Sequence, residues 1–261
     1  MGYFDKLEQN PYKDLEWNIP EQKRGTINVI GGNKQGFRTE VKVAEFLTSA
    51  YPLQEVRLIV PDTLRGKLPE LPNIQFLPST ESGAFAESQE LDKACSEGDY
   101  ALLLGDLSKN NVTGRAIAGA CGFAKHHLMI TRDAIDLISE NTPERVLMND
   151  NITIMASIVQ LRKLLQAVYY PKILLASQSL IQIADILHKF TLSYPVMIVT
   201  FHNDQVIVAE NGNVKAVAID DTGYTSLSLW MGEAAGRIAA MSLYNPGSRI
   251  KAAIAGIWQQ D

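Results

Sequence analysis

The chain has 261 residues, of which 46% are apolar and 20% are charged, and its formal net charge is −5. This balance is typical of a globular protein with a substantial core, and the length suits one large α/β domain. The net negative charge and the lack of a basic stripe argue against a nucleic-acid-binding protein, because phosphate contacts need clustered Lys and Arg.

The amino-terminal segment is polar and acidic, unlike a signal or transit peptide. The longest apolar runs, such as residues 173–176, are too short to cross a bilayer. Cys95 and Cys121 lack metal-ligand spacing and favour a reducing compartment over a disulfide framework. We therefore expect a soluble cytoplasmic protein that contacts neither membrane nor nucleic acid.

Residues 1–25 contain Pro11, Pro20 and mixed charges, which predicts an irregular arm that crosses the domain surface or reaches a neighbouring subunit. Beyond this arm, short apolar runs alternate with amphipathic segments. The predicted strands are residues 26–30, 56–60, 74–77, 100–104, 127–130 and 145–148. The predicted helices are residues 38–50, 87–96, 112–124, 132–139, 153–167 and 177–190.

After Pro195 the pattern changes to closely spaced strands joined by turn residues. Residues 196–200, 205–208 and 214–219 predict an antiparallel meander, and helices over 225–244 and 247–258 close the chain. Unbroken apolar strands separated by helices indicate a parallel sheet covered on both faces. We expect residues 1–261 to form one three-layer α/β/α sandwich, largely parallel, with the meander at one end of the sheet.

In open α/β sheets, ligands bind beyond the carboxyl ends of the parallel strands. The turn at residues 31–36, Gly-Gly-Asn-Lys-Gln-Gly, lets backbone amides approach a ligand, and the following helix favours anions. It matches neither the GxGxxG fingerprint nor a P-loop. A tight strand-to-helix turn explains the same residues equally well.

The segment at residues 220–226, Asp-Asp-Thr-Gly-Tyr-Thr-Ser, joins the meander to a helix rich in small residues. A Thr-Gly turn at a helix start can hold a phosphate, although ordinary helix capping is the alternative explanation. Asp133 and Asp136 are likewise explained by charge placement in the first turn of a helix. The histidines lack the spacing of a zinc site, so no metal ligands are predicted.

Five segments share the motifs of one family in the same order along the chain. They are INVIGGNKQGF, YALLLGDL, MITRDAIDLI, PVMIVTFHNDQVIVAENGNV and DTGYTSLSLWMGEAAG. The chain resembles the ribokinase-like fold over roughly residues 25–260, and within it the ADP- or ATP-dependent NAD(P)H-hydrate dehydratases. The segments are similar to that family's V-I-G-G-S turn, G-P-G-L turn, D-A-D-A-L strand end, lysine-bearing hairpin and G-T-G-D anion hole, respectively.

The resemblance implies a nucleotide-like ligand: ADP or ATP as cofactor, an NADPH or NADH derivative as substrate, and Mg²⁺ as an accompanying ion. It also implies a homo-oligomer, because the relatives assemble. The implied catalytic candidates are Asp220, Asp221 and Tyr224. The implied ligand-binding residues are Gly31, Gly32, Asn33, Gly105, Asp106, Asp133, Asn149, Thr200, Thr222, Gly223 and Thr225.

The departures from the family concern its chemistry. Tyr224 stands where the family has its catalytic aspartate, and a phenol with a pKa near 10 is a poor base at neutral pH. Thr131 replaces the first aspartate of D-A-D-A-L, and the hairpin lysine is replaced near Thr200. The T-P-H-x-x-E segment, placed over residues 148–153, lacks both its histidine and its glutamate.

Three hypotheses follow from these residues. The first is a divergent hydrate-dehydratase relative that binds a nucleotide or small metabolite without the usual catalysis. The second is an active dehydratase or small-molecule kinase that uses Asp220 or Asp221. The third is an oligomeric structural protein whose site has closed.

Overall fold

The computed structural model describes residues 2–69, 71, 73–218 and 230–258. These residues form one ten-stranded sheet with the order β1-β10-β9-β8-β7-β6-β5-β2-β3-β4. In chain order the strands are β1 (Phe4–Leu7), β2 (Thr26–Gly31), β3 (Glu55–Pro61), β4 (Ile74–Leu77), β5 (Tyr100–Gly105), β6 (His127–Thr131), β7 (Ile152–Ser157), β8 (Met197–His202), β9 (Gln205–Glu210) and β10 (Asn213–Ala218).

Polar caps mark several helix starts. Ser157 and Ser179 each form a capping box with the glutamine three residues later, which satisfies amides at the first turn. In chain order the α-helices of the described residues are α1 (Arg38–Ala50), α2 (Gln89–Ser96), α3 (Asn111–Gly122), α4 (Asp133–Glu140), α5 (Pro143–Leu147), α6 (Ile158–Ala167), α7 (Leu180–Ser193), α8 (Glu233–Tyr244) and α9 (Arg249–Trp258).

The sheet is mixed but largely parallel, as predicted. The strands from β4 across to β8 run parallel to one another, and β8, β9 and β10 form the antiparallel meander at one end. β1 then pairs in parallel with β10 at the outer edge. Consecutive residues of β5, such as Leu102 and Leu103, are buried against opposite faces of the sheet. This two-sided burial explains why the central strands read as unbroken apolar runs.

Helices cover both faces of the sheet, which confirms the predicted α/β layering. Residues of α2 through α7, among them Ile117 and Leu161, pack on one face. Residues of α1, α8 and α9, among them Leu47 and Ile238, pack on the other.

Two predicted elements were wrong in type. Residues 145–148 belong to α5 and its carboxyl end rather than to a strand, since Pro143 occupies the first turn, where its fixed φ favours a helix. The helix predicted over 153–167 begins only at Ile158. The preceding Ile152–Ser157 is strand β7, and its β-branched and apolar residues fit a buried strand, a choice that a short apolar run leaves open.

The amino-terminal arm contains regular structure where an irregular segment was predicted. Phe4 lies opposite Val214 in the β1–β10 ladder, and the ring of Tyr3 stacks on His188 of α7 with a centroid separation of 3.9 Å. A short 3-10 helix follows over Lys13–Asn18. The arm is therefore attached to the outer edge of the sheet.

Candidate functional site

Two glycine turns meet where β2 and β5 end, at the carboxyl edge of the parallel strands. The Gly32 N–H donates to the Gly105 carbonyl at 3.0 Å, which joins the turns directly. The Asn33 N–H donates to the Gly36 carbonyl at 2.7 Å, and the Asn33 side-chain amide donates to the Asp106 carbonyl. The structure thus brings the predicted residues Gly31, Gly32, Asn33, Gly105 and Asp106 together.

Both turns need glycine for steric reasons. A methyl group at Gly31 would lie 2.7 Å from the Gly105 carbonyl oxygen and 2.8 Å from Oε1 of Glu40. Gly105 has φ +106°, and a methyl group there would lie 2.3 Å from Oδ1 of Asp133. The close approach of these backbones therefore depends on the absence of side chains at both positions.

Asp133, at the start of α4, supports the second turn from the neighbouring strand end. Its Oδ1 accepts the Asp106 N–H at 2.7 Å, and its Oδ2 accepts the Leu107 N–H at 3.0 Å. Burial raises the pKa of Asp133, and the two N–H groups act against that rise. Both oxygens of the predicted ligand-binding residue Asp133 are thus engaged by the protein backbone.

Arg132 and Asp106 form an ion pair beside this turn, with a distance of 2.8 Å between Nη2 and Oδ1. Both residues have positive φ, +54° for Arg132 and +52° for Asp106. Non-glycine residues in such conformations cost on the order of 1–3 kcal/mol and cluster at functional sites. The Gln160 side chain of α6 holds the Arg132 backbone by donating to its carbonyl at 2.7 Å. The strained backbone is therefore supported from a neighbouring element.

Glu40 lies beneath the two turns, in the first turn of α1, and is fully buried. Neither of its carboxyl oxygens has a hydrogen-bond partner among the described residues. Burial, reinforced by the nearby Asp106 carboxylate, raises the pKa of Glu40 to about 8. The side chain is therefore an uncharged acid at neutral pH.

Two predicted ligand-binding residues lie away from this cluster. Thr200 is on β8, three strands from β5, which corresponds to roughly 14 Å across the sheet. Its hydroxyl is buried and unpartnered among the described residues. Asn149 precedes β7 at the amino edge of the sheet, where its side chain donates to the Ala124 carbonyl at 2.9 Å. Asn149 therefore caps a loop on the opposite edge from the glycine turns.

The segment predicted to hold an anion lies outside the described residues. This applies to Asp220, Asp221, Thr222, Gly223, Tyr224 and Thr225. Residues 148–153, over which the T-P-H-x-x-E segment was placed, do not follow a strand, because residues 143–147 are helical. The turn from β7 into α6 lies later, at Ser157, where the Gln160 side chain completes the capping box.

The sequence did not single out Glu40 or Gln160, or the ion pair of Arg132 with Asp106. Glu40 had a signal, since it sits next to Val41 on the apolar face of an amphipathic helix, where a charged residue is unusual. Arg132 and Gln160 had no comparable signal, because their contacts join residues 28 positions apart.

The described residues contain no group of three or more His, Cys, Asp or Glu side chains placed to hold a metal ion. Within those same ranges, every helix falls short of the length and apolar character that crossing a bilayer requires.

The sheet order, the two helical layers and the paired glycine turns define the fold class. No protein-family model and no curated protein sequence matches the chain. Solved structures do match: the fold is that of a ribokinase-like superfamily protein from Enterococcus faecalis V583, with a TM-score of 0.70 and 15% identity over 97% of this chain and 85% of that one.

Two further solved structures share the architecture. YxkO of Bacillus subtilis, a member of the UPF0031 family, matches with a TM-score of 0.56 and 11% identity, over 95% of this chain and 85% of its own. Adenosine kinase of Trypanosoma brucei brucei matches with a TM-score of 0.54 and 12% identity, over 98% and 93%. The chain therefore has a ribokinase-like fold, and these identities establish the fold alone.

Proposed function

We propose that the chain binds a nucleotide, or a small metabolite built on one, at the paired glycine turns. The proposal is carried by the hydrogen-bonded junction of Gly32 with Gly105, which Asp133 supports from below. Turns held in this way present backbone groups in a fixed arrangement at the edge where α/β sheets bind ligands. Adenosine kinase, which shares the fold, is named for a nucleoside, and a nucleoside is part of the ligand proposed here.

The finer assignment is a divergent relative of the NAD(P)H-hydrate dehydratases with lost or altered catalysis. The three described carboxyl groups around the turns are either paired or buried in the uncharged form, which supports this assignment. Asp133 accepts two backbone N–H groups, Asp106 pairs with Arg132, and Glu40 is buried and uncharged. A general base must reach the reacting group with a free carboxylate, which these three do not offer.

Ligand titration tests the binding proposal. We expect ADP, ATP or NADPH, with and without Mg²⁺, to raise the melting temperature, because a ligand that binds only the native state stabilises it by about 2.7 kcal/mol at one hundred times its Kd. Isothermal titration calorimetry then gives the affinity. Asp133→Asn should weaken binding, whereas Glu140→Gln, an exposed substitution at the other end of α4, should leave it unchanged. Absence of any shift at millimolar nucleotide would contradict the proposal.

The alternative is an active dehydratase or kinase of the same fold that uses Asp220 or Asp221. The pairing or burial of Asp106, Asp133 and Glu40 is consistent with a catalytic acid or base in that segment. Recovery of NADPH absorbance from its hydrate, with ADP or ATP present, measures dehydratase activity directly. If activity is found, Asp220→Asn or Asp221→Asn should abolish it, and full activity in both variants would exclude these acids.

A further inference from the structure

We propose that Glu40 is a positioning residue whose protonation state controls how tightly the Gly31 and Gly105 turns pack. When Glu40 is protonated, the two turns stay joined by the Gly32–Gly105 hydrogen bond. When Glu40 is ionised, this junction of the turns loosens. The consequence for ligand binding rests on the proposed function, whereas the structural effect on the turns does not.

The packing around Glu40 places its carboxyl group against both turns. The position that a methyl group on Gly31 would occupy lies 2.8 Å from Oε1 of Glu40 and 2.7 Å from the Gly105 carbonyl oxygen. The carboxyl group therefore fills the space that glycine at position 31 leaves open. The Gly105 carbonyl oxygen at this point is the one that accepts the Gly32 N–H at 3.0 Å. The carboxyl group therefore lies beside the hydrogen bond that joins the two turns.

The charged groups around Glu40 disfavour its ionised form. From the loop after β5, Asp106 opposes ionisation, and from α4, Asp133 does so more weakly. Arg132 favours ionisation, but its guanidinium is already paired with Asp106 at 2.8 Å.

The other elements packed on α1 bring charges that are paired among themselves. Glu233 and Arg237 of α8 form an ion pair at 3.1 Å, and Glu55 and Arg57 of β3 form one at 2.6 Å. On α1 itself the charged side chains besides Glu40 are Arg38, Lys42 and Glu45.

Besides Arg132, the backbone N–H of Glu40 itself favours the carboxylate, but burial outweighs both. Burying a carboxylate with so few donors is expensive, so ionisation should be accompanied by a local change that admits water. The burial-raised pKa of Glu40, about 8, places this change just above neutral pH. We place this change at the junction of the two turns, because the Gly31 backbone lies against the Glu40 carboxyl group there.

Amide hydrogen exchange tests the inference without any ligand. In the wild-type protein we expect the protection factors of the Gly32 and Asp106 amides, corrected for intrinsic rates, to fall about tenfold between pH 6 and pH 9. The upper pH lies one unit above the pKa of Glu40. Glu40→Gln keeps the shape and removes the charge, so its protection factors should stay within about twofold. Glu45→Gln, an exposed substitution on the same helix, should behave as the wild type does.

Equal pH dependence in the wild type and Glu40→Gln would overturn the inference. The inference would also be overturned if the Gly32 and Asp106 amides of Glu40→Gln were already poorly protected at pH 6 while its global stability was normal. In that case the turns would depend on the acid group itself and not on the absence of charge. A parallel titration with ADP and NADPH separates the two proposals. If the nucleotides do not bind but exchange depends on pH as expected, only the proposed function is contradicted. If the nucleotides bind but exchange does not depend on pH, only the role of Glu40 is contradicted.

Discussion

Asp133 holds Asp106 through a hydrogen bond from the Asp106 N–H to Oδ1 at 2.7 Å, across the ends of neighbouring strands β5 and β6. A motif resemblance assigned Asp133 to the ligand, but the structure directs its carboxylate to the backbone of the turn. Its role is thus to shape the turn on which a ligand would rest. This relationship makes the geometry of the proposed site sensitive to substitutions that never touch a ligand.

Asp133→Asn should destabilise the protein by about 2 kcal/mol. The substitution replaces one acceptor with an NH₂ group that faces a backbone N–H, and hydrogen bonds to charged groups contribute about 1.5–3 kcal/mol. Urea denaturation measures the change, with Glu140→Gln as the neutral control on the same helix. A loss as small as that of the control would show that the Asp106 and Leu107 amides find other acceptors.

Gly105→Ala should cost about 2–4 kcal/mol in the free energy of unfolding. The new methyl group would lie 2.3 Å from Asp133 Oδ1, at a residue with φ +106°, so steric overlap adds to backbone strain. Gly119→Ala is the matched control, because no atom lies within 4 Å of its added methyl group inside α3. That control should be neutral or stabilising by up to about 1 kcal/mol, since alanine favours helix more than glycine.

Arg132→Gly should be more stable than Arg132→Ala by about 1 kcal/mol. Both variants lose the ion pair with Asp106, but only glycine accepts φ +54° and ψ −137° without strain. At Arg115, an exposed helical position in α3, the order should reverse, because alanine is the better helix former. Thermal or urea unfolding of the four variants gives the comparison. If the alanine variant were more stable than the glycine variant at both positions, the backbone at position 132 would have moved out of its strained conformation.

Stability should fall as pH rises from about 4.5 toward 8, through the titration of Glu40. The unfolded chain releases this proton near the ordinary pKa of 4.5, whereas the folded protein retains it until about 8. The stabilising contribution is therefore complete below pH 4.5 and is lost as the pH rises to the folded-state pKa, by on the order of 5 kcal/mol.

Glu40→Gln removes this titration and isolates it from other groups. The difference in unfolding free energy between the wild type and Glu40→Gln, measured in urea at several pH values, should change steadily across this window and level off above it. A difference that is constant with pH would show that Glu40 is ionised in the folded protein at neutral pH.

Most strands and helices were predictable because their signals are local. The runs that became β5 and β6 are continuous and apolar, the run of β2 is interrupted only by Asn28, and α1 shows a clear helical periodicity. The errors fell on short segments, where an apolar run of five residues fits strand and helix alike. Residues 145–148 and the strand Ile152–Ser157 are of that kind, and β1 forms only because β10 offers it an edge.

The candidate site divides in the same way. Gly31, Gly32 and Gly105 were found from the sequence, since glycine at a strand end has few explanations and parallel strands bring their carboxyl ends to one edge. The position of Asn149 was misjudged, because its loop lies at the amino edge of the sheet. The backbone contacts of Asp133 could not be predicted, since they depend on which strand lies next to β6.

The alternation of strands and helices, the meander and the glycine turns follow from local sequence, because periodicity and turn chemistry are properties of adjacent residues. The strand order came from the complete fold, and with it the burial of Glu40, the ion pair of Arg132 with Asp106 and the hydrogen bonds that Asp133 accepts. Those contacts join residues far apart in the chain. Their energies depend on desolvation and on distances of a few ångströms, which no local pattern encodes.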